Sequence, residues 1–221
     1  MIDVIKPTLL LDKLKSFDNI KKIKSNLVNS NIELRPHFKT HQSKVVGNWF
    51  KELGVKKITV SSVTMAKYFS EYWDDITIAF PINILELDDV ISLQEKIKIN
   101  LLVDSYDTLE ILEKKLRNKI NIYLKVNVGY DRAGVDYDSD SIYSFISFAN
   151  SSSKLNFAGF LTHFGDTYTS KSSEEIHDLF NNSLDKISYI NNKYPDFEIS
   201  IGDTPSSSLV KKYPKFITEI R

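Results

Sequence analysis

The chain has 221 residues, 42% hydrophobic and 26% charged, enough to bury a sizeable core in an ordinary globular protein. Its 29 basic residues balance 29 acidic ones, so no net field recruits nucleic acid or an anionic membrane surface. No cysteine is present, which excludes disulfides and thiolate metal sites; apolar runs such as Leu9 to Leu11 are far too short for a membrane span, and no signal-peptide pattern opens the chain, so a cytoplasmic protein is expected.

In chain order, the apolar piece TLLLD (8–12) reads as a strand without an evident partner, and a helix is expected near 13–29. NIELRPHF (31–38) is the first of a repeating series of β-branched runs. An amphipathic helix at 45–54, closed by Gly54, leads to the strand KKITVS (56–61). Helical spacing at 63–73 precedes DITIAF (75–80), and again at 84–97 precedes INLLVD (99–104). A helix opened by Ser105 at 105–116 precedes INIYLKVNV (120–128), and one at 139–151 precedes FAGFLTHF (157–164). The segment 172–194 carries Ser172 and Glu175 at capping-box spacing and precedes FEISIG (197–202). A short helix at 205–213 and the strand FITEIR (216–221) end the series.

Eight strands alternating with helices, with the leading helix in the place of an eighth, predict an α/β fold of the (β/α)8 barrel type. A doubly wound open sheet is the alternative. A barrel gathers its active site at the C-terminal ends of its strands. There the sequence places HFKTH (37–41), NVGYDRAG (127–134), THFGDTY (162–168) and IGDTPSSS (201–208), and with them three of the four histidines. The last of these turns at Gly202 into a helix with Pro205 in its first turn and Asp203 or Thr204 as N-cap, an arrangement open both to simple capping and to phosphate binding. Lys39, at the end of the first strand, suits a Schiff base with a carbonyl group; burial and cationic neighbours such as Arg35, His37 and His41 would free its amine.

These motifs carry a family resemblance. PTLLLD (7–12), RPHFKTH (35–41), GYDRAG (129–134), THFGDTY (162–168) and GDTPS (202–206) occur in the order found in the D-threonine aldolase and D-serine dehydratase group, which shares the alanine racemase type of pyridoxal-phosphate barrel. The RPHxKTH block is the specific one; GxTP alone would be weak. The resemblance implies a lyase acting on D-β-hydroxy amino acids, cleaving D-threonine or dehydrating D-serine. In its terms Lys39 looks like the lysine that forms the Schiff base with pyridoxal 5′-phosphate. Arg132 is similar to the arginine at the cofactor's phenolic oxygen, His163 to the residue against the pyridine ring, and Tyr168 to the tyrosine near phosphate and substrate. Gly202, Asp203 and Thr204 resemble the phosphate loop. His37 and His41 belong to the signature as supporting residues, and His177 matches nothing and is expected at the surface.

The family pattern continues into a second, β-rich domain that holds the divalent metal. On this reading residues 13–221 form the cofactor-binding barrel, and 1–12 form a strand that pairs with the second domain. A truncated chain is expected, with the metal ligands beyond residue 221 and none within. A small-molecule D-amino acid is the expected partner, and a homodimer is compatible with the family. An amino-acid racemase, a non-catalytic cofactor-carrying barrel and a cofactor-independent aldolase using Lys39 are the other readings.

Overall fold

The computed structural model describes residues 4–221, so the first three residues of the expected N-terminal strand lie outside it. Its strands are β1 (Glu33–Leu34), β2 (Ile58–Val60), β3 (Asp75–Pro81), β4 (Lys98–Val103), β5 (Ile120–Asn127), β6 (Val135–Asp136), β7 (Leu155–Thr162), β8 (Glu198–Ile201) and β9 (Glu219–Ile220). The helices are α1 (Lys13–Ser25), α2 (Lys44–Glu52), α3 (Val63–Phe69), α4 (Leu87–Gln94), α5 (Tyr106–Lys115), α6 (Ser141–Ser151), α7 (Ser173–Lys193) and α8 (Thr204–Leu209). Short 3-10 turns follow β1 at Phe38–Thr40 and β7 at Gly165–Thr169.

Every pairing is parallel, in the order β1-β9-β8-β7-β5-β4-β3-β2. The two ends of that row meet. His37 bridges Thr59 in parallel, and the Thr59 N–H donates to the Pro36 carbonyl at 2.9 Å. The sheet is therefore closed, and the (β/α)8 barrel expected from the alternation is the fold. The open doubly wound alternative falls, because its edge strands would not touch. The two-residue β6, hung on the end of β5, is too short for any periodicity to announce.

The signals expected at Ser172 and Gly54 act as read: Ser172 caps α7 through the Glu175 N–H, and Gly54 ends the turn after α2 at φ +76°. Asp12, not singled out in the sequence, caps α1 by accepting the Lys15 N–H. Ser105 precedes α5 without a side-chain cap bond. Helix α1 fills the eighth helical position: Asn26 donates to the Val210 carbonyl, beyond α8, at 3.4 Å, and Lys24 reaches the Leu53 carbonyl after α2. Ahead of it TLLLD forms no strand, and Leu9, Leu10 and Leu11 stand 87%, 57% and 56% exposed.

The barrel has two interiors of opposite character. Outward-facing Ile76, Ile78, Leu101, Val103, Leu124 and Val126 pack beneath the helices into the main apolar core. The inward-facing positions are polar at the floor and at the mouth, with a small apolar layer of Leu102, Tyr123 and Leu161 between them. At the N-terminal end of the barrel Arg35, 1% exposed, donates Nε to Glu219 Oε2 at 2.6 Å and a terminal N–H to Asp75 Oδ1 at 2.7 Å. A further N–H reaches the Ile58 carbonyl at 3.3 Å, across the closing seam. Lys57 joins Glu219 and Glu33, Lys98 joins Asp75, and Asn100 links Asp75 to Asn121. Arg35 is thus not the cationic neighbour of Lys39 that the sequence suggested. Its guanidinium turns into the barrel floor, between the carboxylates of Glu219 and Asp75.

Burial pushes the Asp75 and Glu219 carboxyls up. The Arg35 guanidinium, aided by Lys98 at Asp75 and Lys57 at Glu219, outweighs burial and holds both below their ordinary 3.8 and 4.5. Both groups bind protons more weakly in the fold than in the open chain. Their contribution is therefore complete above those ordinary values and is lost as pH falls through the folded ones. Urea denaturation should show stability declining below about pH 4.5, with a shallower decline in Asp75→Asn. Arg35→Met should cost about 3–5 kcal/mol at neutral pH, since it leaves the buried Glu219 carboxylate with Lys57 at 3.4 Å in place of its 2.6 Å ion pair; a loss under about 1 kcal/mol would contradict the arrangement.

Candidate active site

At the C-terminal end of the barrel lies a cavity of about 840 Å³. Its lining includes all nine residues picked out in the sequence: His37, Lys39, His41, Arg132, His163, Tyr168, Gly202, Asp203 and Thr204. They come from the ends of four strands, so only closure of the barrel brings them together. His177 lies exposed on α7, outside the cavity, as expected.

Lys39 sits on the 3-10 turn after β1, exposed at the cavity. The His37 ring opens that turn, its Nδ1 accepting the Lys39 N–H at 3.3 Å. An accepting Nδ1 leaves the ring proton on Nε2. Burial first, then Lys39 and Arg221, bring the His37 pKa down to about 3. His41 likewise accepts the Ser43 N–H at Nδ1, at 3.1 Å. Its ring packs against Phe38 at 4.5 Å and lies nearly parallel to Phe50, 6.0 Å away. His41 therefore anchors the turn to the aromatic core beneath it.

His163 follows β7 with Nδ1 2.7 Å from the Gly202 carbonyl. A carbonyl only accepts, so Nδ1 carries the proton and Nε2 offers a lone pair. Burial, then Arg132, Arg221 and Lys125, outweigh that bond and lower the His163 pKa to about 4. Arg132 lies exposed in the loop between β5 and β6, with its guanidinium 5.5 Å from the Tyr130 ring centre. Tyr130 meets His163 edge-on at 6.0 Å and rests on Gly165, where a Cβ would come within 2.2 Å of its ring. Gly134 closes the loop at φ +109°, pressed so near the Lys125 carbonyl that a Cβ would lie 2.8 Å from it.

The loop after β8 is built around Asp203. Its carboxylate, 4% exposed, accepts the Ser206 N–H at 2.8 Å as N-cap of α8 and the Thr167 hydroxyl at 2.7 Å. This ties the loop after β8 to the loop after β7, and burial pushes the carboxyl pKa up. Tyr168 covers the same helix start: its hydroxyl accepts the Thr204 N–H at 3.1 Å and donates to Thr204 Oγ1 at 3.3 Å.

Two cations of the cavity escaped the sequence reading. Lys125, on β5 and 6% exposed, makes one bond, to the Val126 carbonyl at 3.3 Å. Burial and the guanidinium groups of Arg221 and Arg132 lower its pKa to about 7. The burial expected of Lys39 falls on this second lysine instead. A lysine inside the strand run INIYLKVNV, whose neighbours Leu124 and Val126 are apolar, was the available signal. Arg221, directly after β9, lines the cavity between His37, Lys125 and His163. Its place at a barrel strand end was the corresponding clue. Among the described residues no three His, Asp or Glu side chains converge to hold a metal ion, and no helix is long and apolar enough to cross a membrane.

A family model described as "Alanine racemase, N-terminal domain" matches residues 11–212. The chain is similar to D-serine dehydratase from Saccharomyces cerevisiae, 28% identical over 218 residues, covering 81% of this chain and 50% of that protein. Among solved structures, D-threo-3-hydroxyaspartate dehydratase from Delftia sp. HT23 superposes with a TM-score of 0.83 at 21% identity, covering 96% of this chain and 58% of that one. D-threonine aldolase from Filomicrobium marinum follows the same fold, with a TM-score of 0.82 at 18% identity over 97% of this chain and 60% of that one. The chain spans about half the length of the curated relatives it matches.

Both His37 and His163 bind a proton less readily in the fold than at their ordinary 6.5, so both stay neutral as the solution is acidified. Their burial therefore costs stability progressively as pH falls below 6.5. In heteronuclear spectra their imidazole signals should stay flat from about pH 8 to about pH 5.5, with His163 in the Nδ1–H form. A titration step near neutrality in either ring would overturn this geometry.

Proposed function

Because the chain belongs to the alanine racemase N-terminal domain family, we propose that it forms the barrel of a pyridoxal-phosphate-dependent lyase acting on D-β-hydroxy amino acids. The observation that carries the reading is the convergence of Lys39, Arg132, His163, Tyr168, Gly202, Asp203 and Thr204 on one cavity. Its size is in the range of cofactor sites. Lys39, Lys125, Arg132 and Arg221 line it against a single lining carboxylate, that of Asp203, which is already tied to Thr167 and Ser206. An anionic, aldehyde-bearing ring fits such a chamber.

Lys39, the exposed amine, would hold the cofactor through its aldehyde carbon. Gly202 and Thr204 would meet its phosphate, with Tyr168 hydrogen-bonded beside them and Asp203 fixing the loop rather than touching the anion. Arg132 would donate to the phenolic oxygen, and the neutral His163 would pack against the ring. When bound, pyridoxal phosphate supplies an electron sink for bond cleavage at the substrate's Cα. The Lys39 amine, when free, would be the base that takes the Cα proton. Loss of that proton together with the β-hydroxyl, which leaves as water, is a dehydration.

Dehydration is favoured over aldol cleavage because the curated relatives at 24–28% identity are named D-serine and D-threo-3-hydroxyaspartate dehydratases. A divalent metal assisting departure of the hydroxyl belongs to the same proposal. A cytoplasmic location and a homodimer complete it.

The full-length protein should take up pyridoxal phosphate with an absorbance band at the visible edge. Lys39→Ala should abolish the band and Lys125→Ala should retain it; the reverse pattern would move the anchoring amine to Lys125. Arg132→Met should weaken uptake about tenfold to a hundredfold, the usual worth of a hydrogen bond to a charged group. With divalent metal present, D-serine and D-threo-3-hydroxyaspartate should yield ammonia and a keto acid. Glycine and acetaldehyde from D-threonine as the main products would instead establish the aldolase reading, and no uptake of cofactor would end both.

A further inference from the structure

Arg221 is the most firmly held cation of the cavity, and the groups that hold it lie outside the cavity. Its backbone N–H donates to the Ile201 carbonyl at 2.9 Å. One terminal nitrogen donates to Ser200 Oγ at 2.7 Å, and the other donates to the Thr162 carbonyl. Two of the five N–H groups of its guanidinium are thus spent on β8 and β7, and three remain to serve a ligand.

The bond to Ser200 has a fixed direction. Ser200 is 1% exposed and has one hydroxyl proton, which it donates to Glu219 Oε1 at 2.6 Å. Glu219 is 2% exposed, and its other oxygen accepts from Arg35 at 2.6 Å and lies 3.4 Å from Lys57. A carboxylate kept ionised by two cations only accepts. The Ser200 proton must then point down to Glu219, leaving its lone pair toward Arg221. The register supplies the alignment, because Ser200 lies opposite Glu219 in the β8–β9 ladder and both side chains point into the barrel. The charged floor of the barrel and the cavity at its mouth are joined by this one chain of side chains.

We propose that Ser200 and Glu219 are positioning residues: they fix the Arg221 guanidinium in the wall of the cavity, so that ligand binding depends on two side chains that do not line it. This inference rests on the cofactor-binding reading for the identity of the ligand but not for the fixing of Arg221. Removing the Ser200 hydroxyl should free the guanidinium to rotate and dilute the donors it presents.

Two measurements on the full-length protein test the proposal. In cofactor-free protein, the guanidinium N–H signals of Arg221 should exchange slowly with water. Ser200→Ala should speed that exchange, and Ser200→Thr, which keeps the hydroxyl, should restore it. Pyridoxal phosphate titration should show about tenfold weaker uptake for Ser200→Ala. In an Arg221→Met background the same substitution should change uptake no further, because its effect passes through Arg221. A role in stability alone would lower the melting temperature of Ser200→Ala equally in both backgrounds and leave uptake unchanged. Equal exchange in wild type and Ser200→Ala, or additive losses of uptake in the double variant, would overturn the proposal. If the wild type takes up no pyridoxal phosphate, the lyase reading fails, and the exchange measurement still decides whether Ser200 fixes Arg221.

Discussion

The Arg35 guanidinium is the centre on which the barrel closes. It reaches Glu219 on β9, Asp75 on β3 and the Ile58 carbonyl on β2, while its own backbone N–H donates to the Ile220 carbonyl. The strands at that seam are only two and three residues long, so backbone pairing there is brief and side chains supply much of the joining. A buried ion cluster is a poor source of net stability, since removing the charges from water offsets most of their attraction. Its value is selective. Closure brings Asp75 and the Ile58 carbonyl to the Arg35 guanidinium, which an open sheet would leave with Glu219 of the neighbouring strand.

A charged floor has a consequence at the mouth. Most of the apolar driving force lies in the outer layer, between strands and helices, which leaves the barrel's inward positions free to carry polar chemistry at both ends. Asn100, Asn121 and Asn156 link neighbouring strands at the bottom, and Leu102, Tyr123 and Leu161 form a small apolar layer above them. Lys125, His37, His163 and Arg221 line the mouth. The cationic groups crowd together there because the imidazoles stay neutral and Lys125 holds its proton weakly. Arg221, brought down to about 10 by burial, remains a cation. The result is a cavity poised to receive an anion.

How legible this was differs from residue to residue. Each barrel strand was visible, because parallel strands covered by helices must be β-branched and apolar on their outer faces. Lys39, Arg132, His163 and Tyr168, which line the cavity, were picked out because each sits in a short motif with glycine or proline punctuation at a strand end. Lys125 and Arg221 carry no such punctuation; one hides within a strand and the other ends one. Arg35 was misplaced for a related reason. It shares a heptapeptide with Lys39, but the turn at Phe38–Thr40 separates a side chain buried in the floor from one exposed at the mouth.

The sequence by itself determined the eight barrel strands and their order, the start of α7, and nine residues that line the cavity, because these are encoded in local periodicity and in motifs within a few residues. The tertiary structure decided which lysine is buried, where each arginine points and which hydroxyl faces which carboxylate. Those outcomes depend on partners 19 to 184 residues apart in the chain, such as Ser200 with Glu219 and Arg35 with Glu219. Burial and hydrogen-bond direction are properties of the closed barrel, and no stretch of sequence contains them until the first strand meets the last.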